Sequence, residues 1–471
     1  MTRMTNFFRF VLAAFAAAAF VSCCSESTSV IRTQTPERPV GQEDMIGYAA
    51  PAIDTVRVGF VGVGARGKDA VRRFHEVPWS KVAAICEVTQ DRADSALSYL
   101  GRAVENPQSP RVYVGPEAYR ELCASPDIDL VYICTDWLHH VPVALCAMEN
   151  GKHAAIEVPS ALTLQDCWDL VNASEHTRKH CVILENCCYD FFELSALELA
   201  RQGLLGEIVH AEGAYHHNLD PYWDKYKDDW RLQYNAAHKG DLYPTHGLGP
   251  VAQVLGINRG DRFTTLVAME TAAIAGPQTY KRLRGKECDS FQNGDLTCTL
   301  LQTERERSVL IEHDVLTPRP YNRMYQLVGT KGYAAKYPVQ QIFLAQEVSD
   351  SIGLGYDTRG GHREYPKEYV DKLREMYPHP VLDAELEEAA KRVGGHGGMD
   401  YIMDYRLIYC LHYGLPVDMD VYDLASWCCL AELGSISIKA GCAPVEVPDF
   451  TRGGYLKRQG MKYAFRDGSF R

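Results

Sequence analysis

Basic charge is scarce in this sequence. Its 471 residues hold 49 Lys and Arg against 61 Asp and Glu, a formal net charge of −12. The cationic face of a nucleic-acid-binding domain is therefore missing, so no nucleic acid is expected and a neutral or cationic small molecule suits the chain better. Metal-ligand spacing is missing too. His139-His140 and His216-His217 are adjacent pairs that a strand would point to opposite faces, and neither H-E-x-x-H nor a Cys/His cluster occurs, so no metal is expected. Sixteen cysteines are present, none in a C-x-x-C spacing. Cys86, Cys134, Cys146 and Cys410 fall inside apolar patterns, and the adjacent pairs 23/24, 187/188 and 428/429 cannot easily bridge, so mostly buried thiols are expected. The apolar run Phe10 to Val21 is too short to cross a bilayer. What is there in quantity is core-forming residue: 46% hydrophobic and 23% charged excludes a disordered or collagen-like chain. At about 150 residues per domain, the length allows two or three domains.

Preceded by Arg3 and Arg9, the run Phe10 to Val21 reads as a signal-peptide core. It ends in Phe20-Val21-Ser22-Cys23, which is similar to a bacterial lipobox, and the leader has no twin-arginine pair. Residues 1–22 are thus expected to be a lipoprotein signal peptide, with Cys23 as the lipid-bearing first residue of an exported chain, periplasm-facing or at the cell surface. Residues 23–54, rich in Ser, Thr, Pro and Gln, read as a tether.

Val56 to Val61 is a β-branched and aromatic run of strand type, and it leads into Gly62-Val63-Gly64-Ala65-Arg66-Gly67 and then a helical spacing of apolar residues. Strand, glycine turn and helix in that order are the context a G-x-G-x-x-G motif requires. Gly62 permits the tight turn, Gly64 lets backbone approach a pyrophosphate, and Gly67 lets the helix pack close to the strand. A second strand ends at Glu87, twenty residues after Gly67, where a carboxylate accepts from ribose hydroxyls and repels a 2′-phosphate; NAD is the expected cofactor. Strands at 130–134, 153–156 and 182–184, alternating with helical patterns, predict a doubly wound parallel sheet over residues 55–185. Trp137, His140, Glu157 and Asn186 stand near the carboxyl ends of its strands, where ligands of such sheets bind.

Beyond residue 186 the pattern changes to strands without intervening helices, at 208–216, 263–269, 296–303, 308–313 and 324–328, with a hairpin turn at Gly329-Thr330-Lys331-Gly332. Residues 186–471 are therefore expected to form an α/β substrate domain with an open, largely antiparallel sheet. Residues 345–398 read as a long excursion, followed by helices at 400–413 and 424–440. Seven aromatics (Tyr215, Tyr222, Trp223, Tyr226, Trp230, Tyr234, Tyr243) fall within 29 residues, a density that suits the C–H faces of a sugar or, equally, a loop anchored on the sheet. Tyr243 and His246 are three apart, so a helical turn would put them on one face, and a His is a natural general base or acid near neutral pH.

The glycine turn and strand order resemble the glucose–fructose oxidoreductase/inositol dehydrogenase superfamily. More specifically, Trp137-Leu138-His139-His140, Glu157-Val158-Pro159, Glu185-Asn186-Cys187-Cys188-Tyr189, Tyr243-Pro244-Thr245-His246-Gly247 and Gly395-His396-Gly397-Gly398-Met399-Asp400 resemble glycoside hydrolase family 109. The dehydrogenases of the superfamily typically carry Glu-Lys-Pro where this chain has Val158, which counts against a simple periplasmic NAD-dependent sugar dehydrogenase or dehydratase, the alternative reading. The resemblance implies an exo-acting α-N-acetylgalactosaminidase with resident NAD, acting on a terminal sugar by oxidation at C3, proton removal at C2, loss of the C1 leaving group, water addition and reduction, outside the paired-carboxylate scheme. It also implies nucleotide contacts at Ala65, Arg66, Glu87, Trp137, His140, Glu157, Val158 and Asn186, and substrate contacts at Tyr215, Arg231, Tyr243 and Tyr325. His246 is the first choice for proton transfer, with Tyr243 and Tyr189 as helpers and Glu157 and His396 serving the leaving group or water. A homo-oligomer is compatible with this reading.

Overall fold

A computed structural model describes residues 30–223, 230–357 and 367–471. The expected signal peptide, Cys23 and Tyr226 lie outside the described residues. Among the described residues no helix is long and apolar enough to cross a membrane.

Two sheets organise the chain. The first contains β1 (Val56–Val61), β2 (Ser80–Glu87), β3 (Arg111–Val114), β4 (Leu130–Ile133), β5 (His153–Ile156) and β6 (Cys181–Ile183) in the order β3-β2-β1-β4-β5-β6, every pair parallel. This is the doubly wound arrangement, in which the order reverses at β1 and opens a crevice at the carboxyl ends of the strands. Strands with continuous apolar runs fit a sheet covered on both faces, and every residue of β4 and β5 is buried.

The second sheet contains β7 (Ile208–His216), β8 (Phe263–Glu270), β9 (Thr297–Thr303), β10 (Ser308–Asp314), β11 (Gln326–Gly329), β12 (Gly332–Ala335), β13 (Gln341–Leu344) and β14 (Val445–Glu446), ordered β13-β12-β11-β7-β10-β9-β8-β14. All its pairs are antiparallel except β7 with β10. The excursion at 345–398 contains helices Gln346–Ser351, Lys367–Met376 and Ala384–Val393. The helix expected at 424–440 is two, Val421–Cys428 and Leu430–Lys439, the first opened by a capping box between Asp420 and Asp423. The cysteines among the described residues are all free thiols, most of them buried.

From Ile31 onward the stretch that composition reads as a tether is laid on the fold. Ile31 pairs with Val445 of β14, Arg38 grips Glu175 at 3.0 and 3.1 Å, and the Met45 N–H donates to the Tyr422 hydroxyl at 2.9 Å. Polar composition says little where a segment is held by backbone pairing and by buried anchors such as Met45 and Ala50.

Candidate active site

The glycine turn sits at the carboxyl end of β1. Gly62 has φ +82°, a conformation that favours glycine, and a Cβ there would lie 2.7 Å from the Cys134 carbonyl oxygen. A Cβ on Gly67 would lie 1.9 Å from the Gly62 oxygen, so the following helix, Ala65–Arg73, packs as closely as it does only with glycine there. A Cβ on Gly64, by contrast, would meet nothing within 4 Å, and the helix has neither a side-chain cap nor an acidic residue in its first turn. The turn is thus an open cradle of backbone N–H groups suited to a pyrophosphate. Glu87, at the end of β2, accepts from Val63 N–H at 2.8 Å and Val88 N–H at 3.0 Å, which fixes its carboxylate beside the turn with lone pairs left for ribose hydroxyls. These residues fit a bound NAD.

Arg66, in the first turn of that helix, joins three distant segments. Its Nε donates to Glu157 at 2.5 Å, and its two terminal nitrogens donate to Asp400 at 2.7 and 3.2 Å. Asn186 also donates to Asp400, at 2.6 Å, and the His396 ring nitrogen is 2.9 Å from it. Burial opposes charge on Asp400, but Arg66, His396 and Arg73 outweigh it and hold the carboxyl well below the ordinary range. Val158 follows Glu157 with its N–H on that carboxylate at 3.3 Å. His140 stands behind, fully buried, its ring nitrogens 2.9 and 3.2 Å from the Pro159 and Thr135 carbonyls, and burial lowers its pKa although both carbonyls favour the proton.

The second cluster joins the end of β6 to elements of the second domain. His246 lies in the first turn of helix Thr245–Leu255, and its Nδ1 is 2.7 Å from Oε1 of Glu185, a carboxylate with no exposed surface at the end of β6. Burial again opposes charge, yet His246 and neighbouring donors lower the Glu185 pKa. The other ring nitrogen is 3.5 Å from the Tyr243 hydroxyl. Tyr243 precedes the helix rather than riding on it, but its ring centroid is 4.9 Å from that of His246 and stacks on Tyr215 at 4.5 Å. Two glycines make this possible: a Cβ on Gly247 would come within 2.5 Å of Ala214 N in β7, and one on Gly249 within 2.9 Å of the Glu185 Cγ. Arg231 lies over Trp137 (5.0 Å) and Tyr243 (4.9 Å), and Trp137 also meets Trp230 and Tyr234. The Tyr215 hydroxyl is 2.8 Å from His217 Nδ1, and burial together with Arg231 lowers the His217 pKa to about 4, leaving it neutral.

Two expected site residues are not brought here. The Tyr189 hydroxyl donates to Asp418 at 3.0 Å within a buried pair that Asp418 makes with Arg406. The Tyr325 hydroxyl donates to the Glu193 carbonyl at 3.4 Å, and its ring meets Phe192. Both phenols are committed to the interior of the second domain by partners far away in sequence. Conversely, Glu185, Asp400 and His217 take part although the spacing of residues gave them no role; the first two stood inside the recognised motifs, which was the available signal. Glu185, Cys187 and His246 also offer ligand atoms all within 4.8 Å of one another.

Residues 189–457 match the family model described as glycosyl hydrolase 109, C-terminal domain, and residues 56–185 match that of the oxidoreductase family, NAD-binding Rossmann fold. The chain is 54% identical over 440 residues to glycosyl hydrolase family 109 protein 5 of Phocaeicola vulgatus, covering 92% of this chain and 84% of that one. It is 52% identical over 441 residues to glycosyl hydrolase family 109 protein 1 of Bacteroides thetaiotaomicron, covering 93% and 94%. Among solved structures, a levoglucosan dehydrogenase in complex with NADH and L-sorbose aligns with TM-score 0.61 at 19% identity, over 84% of this chain and all of that one. An aldose-aldose oxidoreductase from Caulobacter crescentus aligns with TM-score 0.59 at 18% identity, over 83% of this chain and all of that one. These two likenesses are of fold.

Proposed function

The chain belongs to glycosyl hydrolase family 109, with an NAD-binding N-terminal domain, and we propose that it removes a terminal α-linked N-acetylgalactosamine by transient oxidation of the sugar ring. The observation that supports this reading is the Glu185–His246–Tyr243 set, whose Glu185 adjoins Asn186, a residue tied through Asp400 to Arg66 of the nucleotide turn. The Gly62–Gly67 turn and Glu87 would hold NAD, which when bound would supply reversible hydride acceptance from C3 of the sugar and so render the neighbouring C2 proton acidic. His246 takes that proton or the one on the C3 hydroxyl, with Glu185 orienting the imidazole and Tyr243 sharing the proton path. Tyr215, Trp137 and Arg231 hold the sugar, rings against its C–H faces and guanidinium on its polar groups. His396, oriented by Asp400, serves the leaving group or the incoming water, and Glu157 steers Arg66 toward the nucleotide phosphates. We further propose that the chain is exported and anchored through a lipid on Cys23.

Hydrolysis of an aryl α-N-acetylgalactosaminide in heavy water tests the mechanism. Deuterium at C2 of the released sugar, with no net accumulation of NADH, is expected. An unlabelled C2 would exclude elimination, and steady NADH formation would point to a dehydrogenase.

A further inference from the structure

We propose that Glu185, Cys187 and His246 form a binding site for a thiophilic divalent cation of the zinc class, and that its occupation inhibits the enzyme. The binding stands on geometry alone; the inhibition rests on the role given above to His246. One oxygen, one sulfur and one imidazole nitrogen lie within 4.8 Å of one another, which is the mixed donor set that zinc accepts. Around a tetrahedral zinc such donors stand about 3.3–3.8 Å apart, so small side-chain shifts close the site. Glu185 and Cys187 come from one short turn, Asn186–Tyr189 with Glu185 as its cap, and His246 from the first turn of the helix opposite, so the chelate is largely preformed. Glu185 is the anchor of the set. It is fully buried, its Oε1 accepts from His246 and from the Cys187 N–H at 3.1 Å, and the Cys187 and Thr245 side chains adjoin the same carboxylate, so the sulfur and the imidazole already converge on it.

The sequence hides this set because its members are 2 and 61 positions from Glu185 and no metal spacing joins them. A cation held there takes the place of the proton on the imidazole, so the histidine that moves protons is locked as a ligand.

The test uses the full-length holoenzyme, stripped of metal and titrated with Co²⁺ and then Zn²⁺. One equivalent of Co²⁺ should bind with a thiolate-to-cobalt charge-transfer band, and Zn²⁺ should displace it and stop turnover reversibly. Cys187→Ser should lose that band and weaken Zn²⁺ binding at least about tenfold, since even outer partners of a metal site contribute that much. His246→Ala should lose Zn²⁺ binding by calorimetry while keeping NAD, which covers the case of Cys187→Ser failing to fold. Absence of the thiolate band in the wild type, or Zn²⁺ affinity unchanged in the variant that folds, overturns the site. Absence of turnover in the metal-free enzyme, with the band intact, would instead count against the glycosidase mechanism.

Discussion

His246 owes its orientation to a buried carboxylate. Glu185 is excluded from solvent and 2.7 Å from the imidazole, so it selects the ring position that leaves the far nitrogen beside Tyr243. Replacing a carboxylate in this position by an amide keeps the shape but presents the wrong partner to the ring. Glu185→Gln is expected to lower kcat by about 10²-fold or more, and His246→Ala to abolish most turnover, with NAD retained in both; kcat and the nucleotide content of the purified protein check this. Single-residue roles were only partly legible in the sequence. His246, Tyr243, Tyr215 and Arg231 could be picked out and do meet. Tyr189 and Tyr325 looked equivalent to them, because nothing local reveals that Asp418 or the Glu193 backbone takes the phenol. A side chain's direction is decided by partners more than a hundred positions away, which spacing does not encode.

The two glycines of the segment Thr245–Gly249 act on whole elements. Gly247 lets the helix lie against β7, which sets Tyr215 beside His246, and Gly249 leaves room for the Glu185 side chain. Gly247→Ala would drive a methyl group into the β7 backbone, which cannot yield as a flexible side chain would. A loss of about 1–3 kcal/mol is expected from such overpacking, read as a lowered urea midpoint, together with a fall in kcat from the displaced histidine. Elements were the most readable level of the sequence. Period-two and continuous apolar runs located β1, β2 and β4 to β11 to within about two residues, and the glycine spacing located the nucleotide turn, whereas the short edge strands β3, β13 and β14 carried too few residues to show a pattern. The break at Cys429 and the helices of 346–393 were not readable, because charge and glycine content there mask short amphipathic pieces that are stabilised only by docking.

Across the whole molecule, buried ionisable groups give stability a definite dependence on pH. Burial depresses His180 to about 4, and His313 and His379 to about 3, from an ordinary 6.5. The unfolded chain therefore takes up protons that the native one refuses, so their contribution is complete above pH 6.5 and lost as pH falls toward 4 and below. Burial raises Glu193 and Asp241 to about 7, and these act oppositely, losing stability as pH rises from about 4 to 7. Asp404 and Asp420, raised to about 6, act with those two carboxyls, while His217, lowered to about 4, and His140 and His153, also lowered by burial, act with the three histidines. A tenfold change in proton affinity corresponds to about 1.4 kcal/mol, and six histidines outweigh four carboxyls, so the urea midpoint should fall between pH 7 and pH 4. The division into a parallel nucleotide sheet and a largely antiparallel second sheet was legible at this scale, while the path of residues 31–54 was not. That path has its own consequence. Ile31 is fastened to the last strand of the second sheet, while Arg38 holds Glu175, in a helix beside the first. The segment is a clasp across both halves, so trimming it away would leave chemistry and cofactor in place yet free the crevice to gape, weakening the grip on substrate before it slowed the reaction itself.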